Sequence, residues 1–151
     1  MDPELLKAKN YAFLLLKYRL RSTEEIRDRL KRKKFSAQAI EATIKDLSAS
    51  RFLDDEAFAK AWIEYRLNNK IGIRRLRVEL GTFGIPKETV SRQLESIKDD
   101  YNEEEIIQRV IKQKVRKLAS PVDLTAKRRI YAYLLRRGFS PEVVSDNIKQ
   151  L

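Results

Sequence analysis

The chain has 151 residues, the size of one compact domain or of a short row of small repeats. Its 33 Lys and Arg against 22 Asp and Glu leave a formal net charge of +11, which favours polyanionic partners such as nucleic acid or an acidic protein surface. It contains neither Cys nor His, which removes disulfides, thiol chemistry, most zinc sites and the commonest general base, and fits a reducing compartment. The longest apolar run near the start, Tyr11 to Leu16, is far short of a membrane span. Met1-Asp2-Pro3-Glu4 is acidic where a cleavable signal would be basic. A soluble cytoplasmic protein with no membrane partner is expected.

Only four Gly and four Pro occur, and apolar residues recur at three and four rather than alternating, so the chain is expected to be all-α. A first helix is predicted from about Leu5 to Leu20. Ser22 with Glu25 forms a capping box that opens a second, carrying Ile26 and Leu30. Lys34-Phe35-Ser36 then makes a turn, with Ser36 as the cap of a third helix carrying Ile40, Ile44 and Leu47. Asp54-Asp55 caps a fourth helix with Phe58, Ala59, Trp62, Ile63 and Arg66 in step. Leu76 and Leu80 mark the fifth, Gly84-Ile85-Pro86 the turn after it, and Val90, Leu94 and Ile97 the sixth. The seventh is predicted over Glu103 to Leu118, opened by a weaker box of Asn102 with Glu105 and carrying Ile107, Val110, Ile111, Lys114 and Leu118. Ile130 and Leu134 define the eighth, Gly138-Phe139-Ser140 the turn, and Val144, Ile148 and Leu151 the ninth, with Ser140 as its cap and Pro141 in the first turn.

These elements repeat. Ile26, Leu30, Phe35, Ile40, Ile44 and Leu47 become Leu76, Leu80, Ile85, Val90, Leu94 and Ile97 on adding 50, and Ile130, Leu134, Phe139, Val144, Ile148 and Leu151 on adding a further 54. The chain therefore reads as three tandem three-helix repeats, 1–50, 51–100 and 101–151, each marginal alone and stacked on its neighbour in an elongated, curved body. Gly84 and Gly138 read as left-handed residues that close a helix. Lys34 stands at the same position in the first copy and is expected to be left-handed despite its side chain, at a cost on the order of 1 kcal/mol.

The basic residues are clustered. Between Glu105 and Leu151 eleven Lys and Arg face four acidic residues, which is +7 of the +11. Further clusters are Arg27, Arg29, Lys31, Arg32, Lys33 and Lys34, and Lys70, Arg74, Arg75 and Arg77. All three second helices are basic on the side away from the core series. Arg27, Lys31 and Lys34 share one stripe, as do Arg74 and Arg77, with Arg75 beside them; Arg129 and Arg136 lie a two-turn step apart, adjoined by Arg128 and Arg137. Stacked in parallel, these stripes would line up into a positive surface suited to DNA phosphates or to an acidic groove. The alternative is a solvated face, with some of the cations favourable at helix C-termini. Phe35, Phe58, Trp62 and Phe139 fall on core positions, whereas Tyr18, Tyr65, Phe83 and Tyr133 remain for surface contacts. Phe83, whose counterparts are Lys33 and Arg137, is read as an exposed aromatic beside a basic stripe or as half-buried at a repeat junction. Asp54-Asp55 is better explained as a cap than as a metal or acid–base pair, and Asp99-Asp100 as part of a link between repeats. No His, Cys or phosphate loop completes a site, so no enzyme, cofactor or metal is expected.

Several stretches resemble one family. Ser50-Arg51-Phe52-Leu53-Asp54-Asp55-Glu56-Ala57-Phe58-Ala59, followed by Trp62 to Arg66, is similar to the central signature of the RecX family. Tyr11 to Leu47 with Arg19, Ser22, Glu25 and Leu30 resembles its first repeat. Gly72, Leu76, Glu79-Leu80 and Gly84-Ile85 resemble its second, and Tyr133-Leu134-Leu135-Arg136-Arg137-Gly138-Phe139-Ser140 the end of its third. The likeness covers almost the whole chain, in the family's order. It implies a modulator of RecA, the bacterial recombinase, that lies along the groove of the RecA filament on single-stranded DNA, bridges neighbouring subunits and suppresses ATP hydrolysis and strand exchange. The chain departs from the family pattern at Lys34, where Gly is expected, and by lacking a long extension before the first repeat, so contacts made by such an extension are not carried over.

Three functions follow from these readings. A filament-binding regulator, a monomer contacting RecA and single-stranded DNA through Arg27, Lys31, Lys34, Arg74, Arg75, Arg77, Phe83, Arg128, Arg129, Arg136 and Arg137, rests on the resemblance together with the charge. A sequence-independent DNA-binding helical protein rests on the charge alone. A pure protein-interaction scaffold would keep its binding without DNA and at high salt.

Overall fold

The computed structural model describes residues 2–119 and 121–151; Met1, the first residue of the acidic opening, lies outside them. Among the described residues there are nine α-helices and no strand, in the expected groups of three. In order they are α1 (Pro3–Tyr18), α2 (Thr23–Arg32), α3 (Ala37–Ala49), α4 (Asp55–Leu67), α5 (Ile73–Thr82), α6 (Lys87–Ser96), α7 (Glu103–Arg116), α8 (Leu124–Arg136) and α9 (Pro141–Ile148).

Local chemistry accounts for the boundaries. α1 starts earlier than its apolar spacing suggests because the Asp2 carboxylate accepts from Glu4 N and Pro3 takes the first-turn position. The full capping box forms at α2: Ser22 Oγ accepts from Glu25 N, and Glu25 Oε1 accepts from Ser22 N. Ser36 caps Ala39 N, Asn102 caps Glu105 N, and Asp54 accepts from Ala57 N. Ser140 stands at the start of α9, but its side chain makes no cap bond. The backbone N–H of Ser36 is instead taken by Glu4 of α1 (2.7 Å), and that of Ser140 by Glu103 of α7. The first and third repeats therefore share this bond, whereas the second has Pro86 at the position and no N–H to give.

The three turns between second and third helices are the same motif. Phe35 N, Ile85 N and Phe139 N each reach back five residues, to the carbonyls of Leu30, Leu80 and Leu134 at 3.2, 3.1 and 3.2 Å. Lys34 N, Gly84 N and Gly138 N reach back three residues. This is the Schellman arrangement, which needs one left-handed residue, and φ is +66° at Lys34, +75° at Gly84 and +89° at Gly138. Lys34 is left-handed as its position in the repeat requires. Arg51 and Lys70 also have positive φ, which the repeat did not announce.

Fifteen of the eighteen repeated apolar positions are buried. Phe35 and Ile97 are half-buried, and Leu151, beyond the end of α9, is exposed. In the first repeat α1, α2 and α3 each pack on the other two around Ala8, Ala12, Leu15, Ile26, Leu30, Ile40, Ile44 and Leu47. In the third, α7, α8 and α9 do the same around Ile107, Val110, Ile111, Ile130, Leu134, Phe139, Val144 and Ile148.

The chain divides into two compact units, one of residues through Ala61 with Leu80–Ser91, the other of Trp62–Glu79 with Arg92–Leu151. Each unit contains one junction between repeats. In the first, Ser22 Oγ donates to the Phe83 carbonyl at 2.7 Å, Thr23 N donates to Asp55 at 2.9 Å, and a side chain on Gly84 would overlap Glu24. In the second, Gly72 N donates to the Arg137 carbonyl at 2.7 Å and Arg74 N to the Gly138 carbonyl at 3.1 Å. A Cβ on Gly72 would overlap the Gly138 carbonyl, and one on Gly138 would lie 2.8 Å from Arg75 Cα. By the repeat offsets Ser22 corresponds to Gly72 and Phe83 to Arg137. At both junctions the turn of one repeat supplies carbonyls to the start of the preceding repeat's second helix; the donor is a side-chain hydroxyl at Ser22, and backbone N–H groups without a partner inside their own helix at Gly72 and Arg74.

Lys34→Gly relieves the left-handed strain and is expected to raise stability by about 1 kcal/mol, seen as a melting temperature higher by a few degrees; an unchanged or lower value contradicts the strain. Gly72→Ala forces the second junction apart and is expected to cost about 2 kcal/mol or more, whereas Gly81→Ala, inside α5 with nothing near its added Cβ, gains about 0.5–1 kcal/mol. Thermal unfolding of the two variants side by side checks this; equal effects would remove the close approach as the cause.

Candidate functional site

One face of α8 carries Arg129, Tyr133 and Arg136, spaced four and three. Asp123 fixes the start of the helix by accepting from Ala126 N at 2.8 Å. Opposite this face lies the end of α7, with Lys114 and Lys117. Between them runs a groove of about 610 Å³, with Lys114, Lys117, Arg129 and Arg136 as its cations, Leu118, Ile130 and Ala132 as apolar lining, and Asp123 as its one acid. Lys114 Nζ stands 3.9 Å from the centre of the Tyr133 ring, a cation–π contact that holds the ammonium at the groove. Arg129 and Arg136 make no ion pair among the described residues. Four cations with one acid, already committed to a cap, leave a concentrated positive potential of the kind that attracts phosphates or a carboxylate-rich surface.

A second, smaller groove of about 320 Å³ lies on the other side of α8, lined by Leu124, Lys127, Arg128, Tyr131, Ile148 and Lys149 among others. Arg128 thus faces different surroundings from Arg129.

The other expected site residues divide into free and committed. Lys31 and Lys34 are exposed on the first unit, and Arg74 and Arg77 on α5 of the second. Arg27 is not free: its guanidinium pairs with Glu24 and, at 2.9 Å, with Glu41 of α3, and the Glu41 hydrogen bond raises its pKa. Arg75 is tied to Glu79 at 3.1 Å and to the Arg136 carbonyl at 3.0 Å. Arg137 donates to the carbonyls of Asn69 and Lys70. These three arginines hold the fold, because each has a partner that periodicity along its own helix does not show. Phe83 is half-buried with its ring packed edge-on against Phe58 at 5.0 Å, so the exposed reading of this residue gives way to the junction reading. Tyr18 and Tyr65 are exposed. The binding residues expected from the sequence do not include Lys114 and Lys117, and Tyr133 stands there only among the aromatics left for surface contacts. Its spacing to Arg129 and Arg136 puts Tyr133 on their face, whereas the two lysines join the groove only through the packing of α7 on α8.

Trp62, expected in the core, is half-buried and works through its polar edge. Its Nε1–H donates to Glu79 at 3.0 Å, and Arg66 forms a two-pronged pair with the same carboxylate, both prongs at 2.9 Å. Partial burial pushes the Glu79 carboxyl up, but the hydrogen bonds from Arg66, Arg75 and Trp62 together outweigh it and hold its pKa below the usual carboxylate value. This network fixes α5 to α4 and so sets the direction in which Arg74 and Arg77 point. Among the described residues no group of three or more acids could hold a metal ion, and no helix is long and apolar enough to cross a membrane.

Comparison with known proteins gives one consistent answer. Models of the first, second and third three-helix domains of RecX match residues 8–47, 54–94 and 102–146. The regulatory protein RecX of Geobacillus thermodenitrificans is 33% identical over 141 residues, covering 92% of this chain and 52% of its own. That of Amycolatopsis mediterranei is 30% identical over 146 residues, covering 95% of this chain and 82% of its own. The chain spans about half the length of several such curated relatives. The crystal structure of RecX from Lactobacillus salivarius superposes with a TM-score of 0.86 at 21% identity, over 99% of this chain and 97% of that one, which is a likeness of fold.

The Glu79 network yields a test that needs no partner. A carboxyl whose pKa is lowered on folding stabilises above its unfolded pKa, and the gain is lost as pH falls through the folded value. Glu79→Gln is therefore expected to be less stable than the parent at neutral pH, by about 2 kcal/mol, with the gap closing as acid protonates Glu79. Unfolding by denaturant at neutral and acidic pH measures it, and a gap independent of pH would show that the charge is irrelevant.

Proposed function

Because this chain belongs to the RecX family of regulatory proteins, we propose that it binds the filament formed by RecA on single-stranded DNA and lowers its ATPase and strand-exchange activity, in DNA repair, recombination and the SOS response. It does so as a cytoplasmic monomer that carries out no reaction itself and uses no cofactor. The observation that carries this reading is the groove between α7 and α8, where Lys114, Lys117, Arg129 and Arg136 converge against a single acid. Such a site binds phosphates or acidic side chains weakly on its own and in proportion to the counterions it releases. Exposed Lys31, Lys34, Arg74, Arg77 and Arg128 add further weak contacts. Spread over the repeated subunits of a polymer, weak contacts sum to a firm grip, because each contact after the first forms at high effective concentration. A protein held in this way opposes the changes of filament conformation that turnover requires, with no chemistry beyond binding.

The test is DNA-dependent ATP hydrolysis by RecA at low salt, titrated with the parent and with the Lys114→Ala, Arg129→Ala, Arg136→Ala triple variant. The parent is expected to inhibit, and the triple variant to need roughly tenfold more protein for the same inhibition. Arg27→Ala, which removes only intramolecular ion pairs, should inhibit like the parent. No effect of the parent at excess overturns the regulatory reading. Binding to naked duplex DNA as tight as binding to the filament, with a steep salt slope, would favour a sequence-independent DNA-binding protein instead.

A further inference from the structure

The first unit contains a second cationic hollow, outside the groove along α8. It holds about 210 Å³ and is lined by Arg19, Arg21, Glu25, Asp28, Arg29 and Arg32. Arg19 and Arg21 come from the connection between α1 and α2, and the other four from one face of α2, where they are spaced three, four and seven residues from Glu25. Four guanidinium groups thus share a small space with two carboxylates.

Hydrogen bonding within the hollow is unevenly divided. Glu25 is fully used: Oε1 accepts from Ser22 N at 3.1 Å and from Arg19 Nη1 at 3.2 Å, and Oε2 pairs with Arg19 Nη2. Arg19 also donates to the Leu20 carbonyl at 2.8 Å. Arg21 gets only the long side of this arrangement, with its Nη1 3.7 Å from Glu25 Oε2. Its side chain is 13% exposed, and its Nε–H is buried with no hydrogen-bond partner. A buried, charged donor left unpaired costs free energy on folding, and it is the kind of group that an incoming acceptor satisfies. Arg29 spends one nitrogen on the Tyr11 hydroxyl at 3.3 Å, and Arg32 is exposed with no ion pair among the described residues. Burial, and then the like charges of Arg19 and Arg29, lower the pKa of Arg21, and the nearby Glu25 only partly offsets them, so the site carries uncompensated positive charge.

We propose that this hollow is an oxyanion site for one phosphate group, with Arg21, Arg29 and Arg32 as its donors. A carboxylate would satisfy one guanidinium fork, whereas a phosphate has enough oxygens to serve several at once and more charge to set against them. The phosphate belongs either to a free nucleotide or to the backbone of a nucleic-acid strand, and the chemistry of recognition is the same for both. The site rests on residues of the first unit alone and stands or falls separately from the groove on α8.

The experiment follows the Arg Nε–Hε resonances of the whole chain by NMR at low ionic strength, during titration with inorganic phosphate, adenosine diphosphate and a short oligothymidine. The Arg21 resonance is expected to move along a saturable curve. Arg32→Ala, which alters an exposed side chain and leaves the fold intact, should weaken the midpoint about tenfold, while Arg129→Ala should leave it unchanged. A lower midpoint for the diphosphate than for the oligonucleotide assigns the phosphate to a nucleotide, and the reverse order assigns it to a strand. An Arg21 resonance that stays still or drifts without saturating, or an Arg32→Ala curve identical to the parent's, overturns the proposal.

Discussion

Successive repeats are joined where a turn of one offers its carbonyls to the start of a helix in the one before, and the rest of the molecule depends on it. A helix start exposes N–H groups that its own turns cannot satisfy. Here Gly72 N and Arg74 N, at the start of α5, donate to the carbonyls of Arg137 and Gly138 in the following repeat, and at the start of α2 the Ser22 hydroxyl donates to the Phe83 carbonyl. The turn can reach in because its tip is left-handed and, at Gly84 and Gly138, bare of side chain. Contact at this range leaves little freedom of tilt or sliding, unlike a purely apolar face. In the second unit it sets the start of α5 against the end of α8, and therefore where the cations of both helices stand.

Much of this was legible because the repeat is written in residues whose roles are local. A Leu five positions before an apolar residue, with a turn former between, specifies the Schellman bond whatever surrounds it, and all three copies form it. Lys34 was legible for the same reason: position, more than residue type, dictates its φ. What periodicity could not supply was the partner of each charged group. The carbonyls of Asn69 and Lys70 that hold Arg137 are sixty-eight and sixty-seven residues distant, and Glu41, which holds Arg27, lies on the next helix. A helical wheel shows which way a side chain faces but not what waits there. Phe83 shows the same gap: its charged counterparts Lys33 and Arg137 leave an exposed and a half-buried reading open, and only the Phe58 ring it packs against decides for the second.

Charge in this protein is informative only after such pairs are removed. The formal excess of +11 counts Arg66, Arg75 and Arg27 equally with Arg129 and Arg136, although the first three neutralise carboxylates that fasten helices together. Removing them leaves fewer cations, more closely grouped, along α8 and the end of α7. Attraction for a polyanion grows with such grouping, because neighbouring positive charges reinforce one another while an interleaved carboxylate cancels them.

The meeting of Gly72 with Gly138 also constrains how the sequence can change. Tight contacts between side chains can be rebuilt by exchange, one partner shrinking as the other grows. At this point no such trade exists, since what an added methyl on Gly72 strikes is the carbonyl of Gly138, and what one on Gly138 strikes is the main chain of Arg75. Main chain cannot be trimmed. A lesion at either glycine is thus beyond the reach of any compensating substitution in its partner, and relief can come only from parting the two repeats.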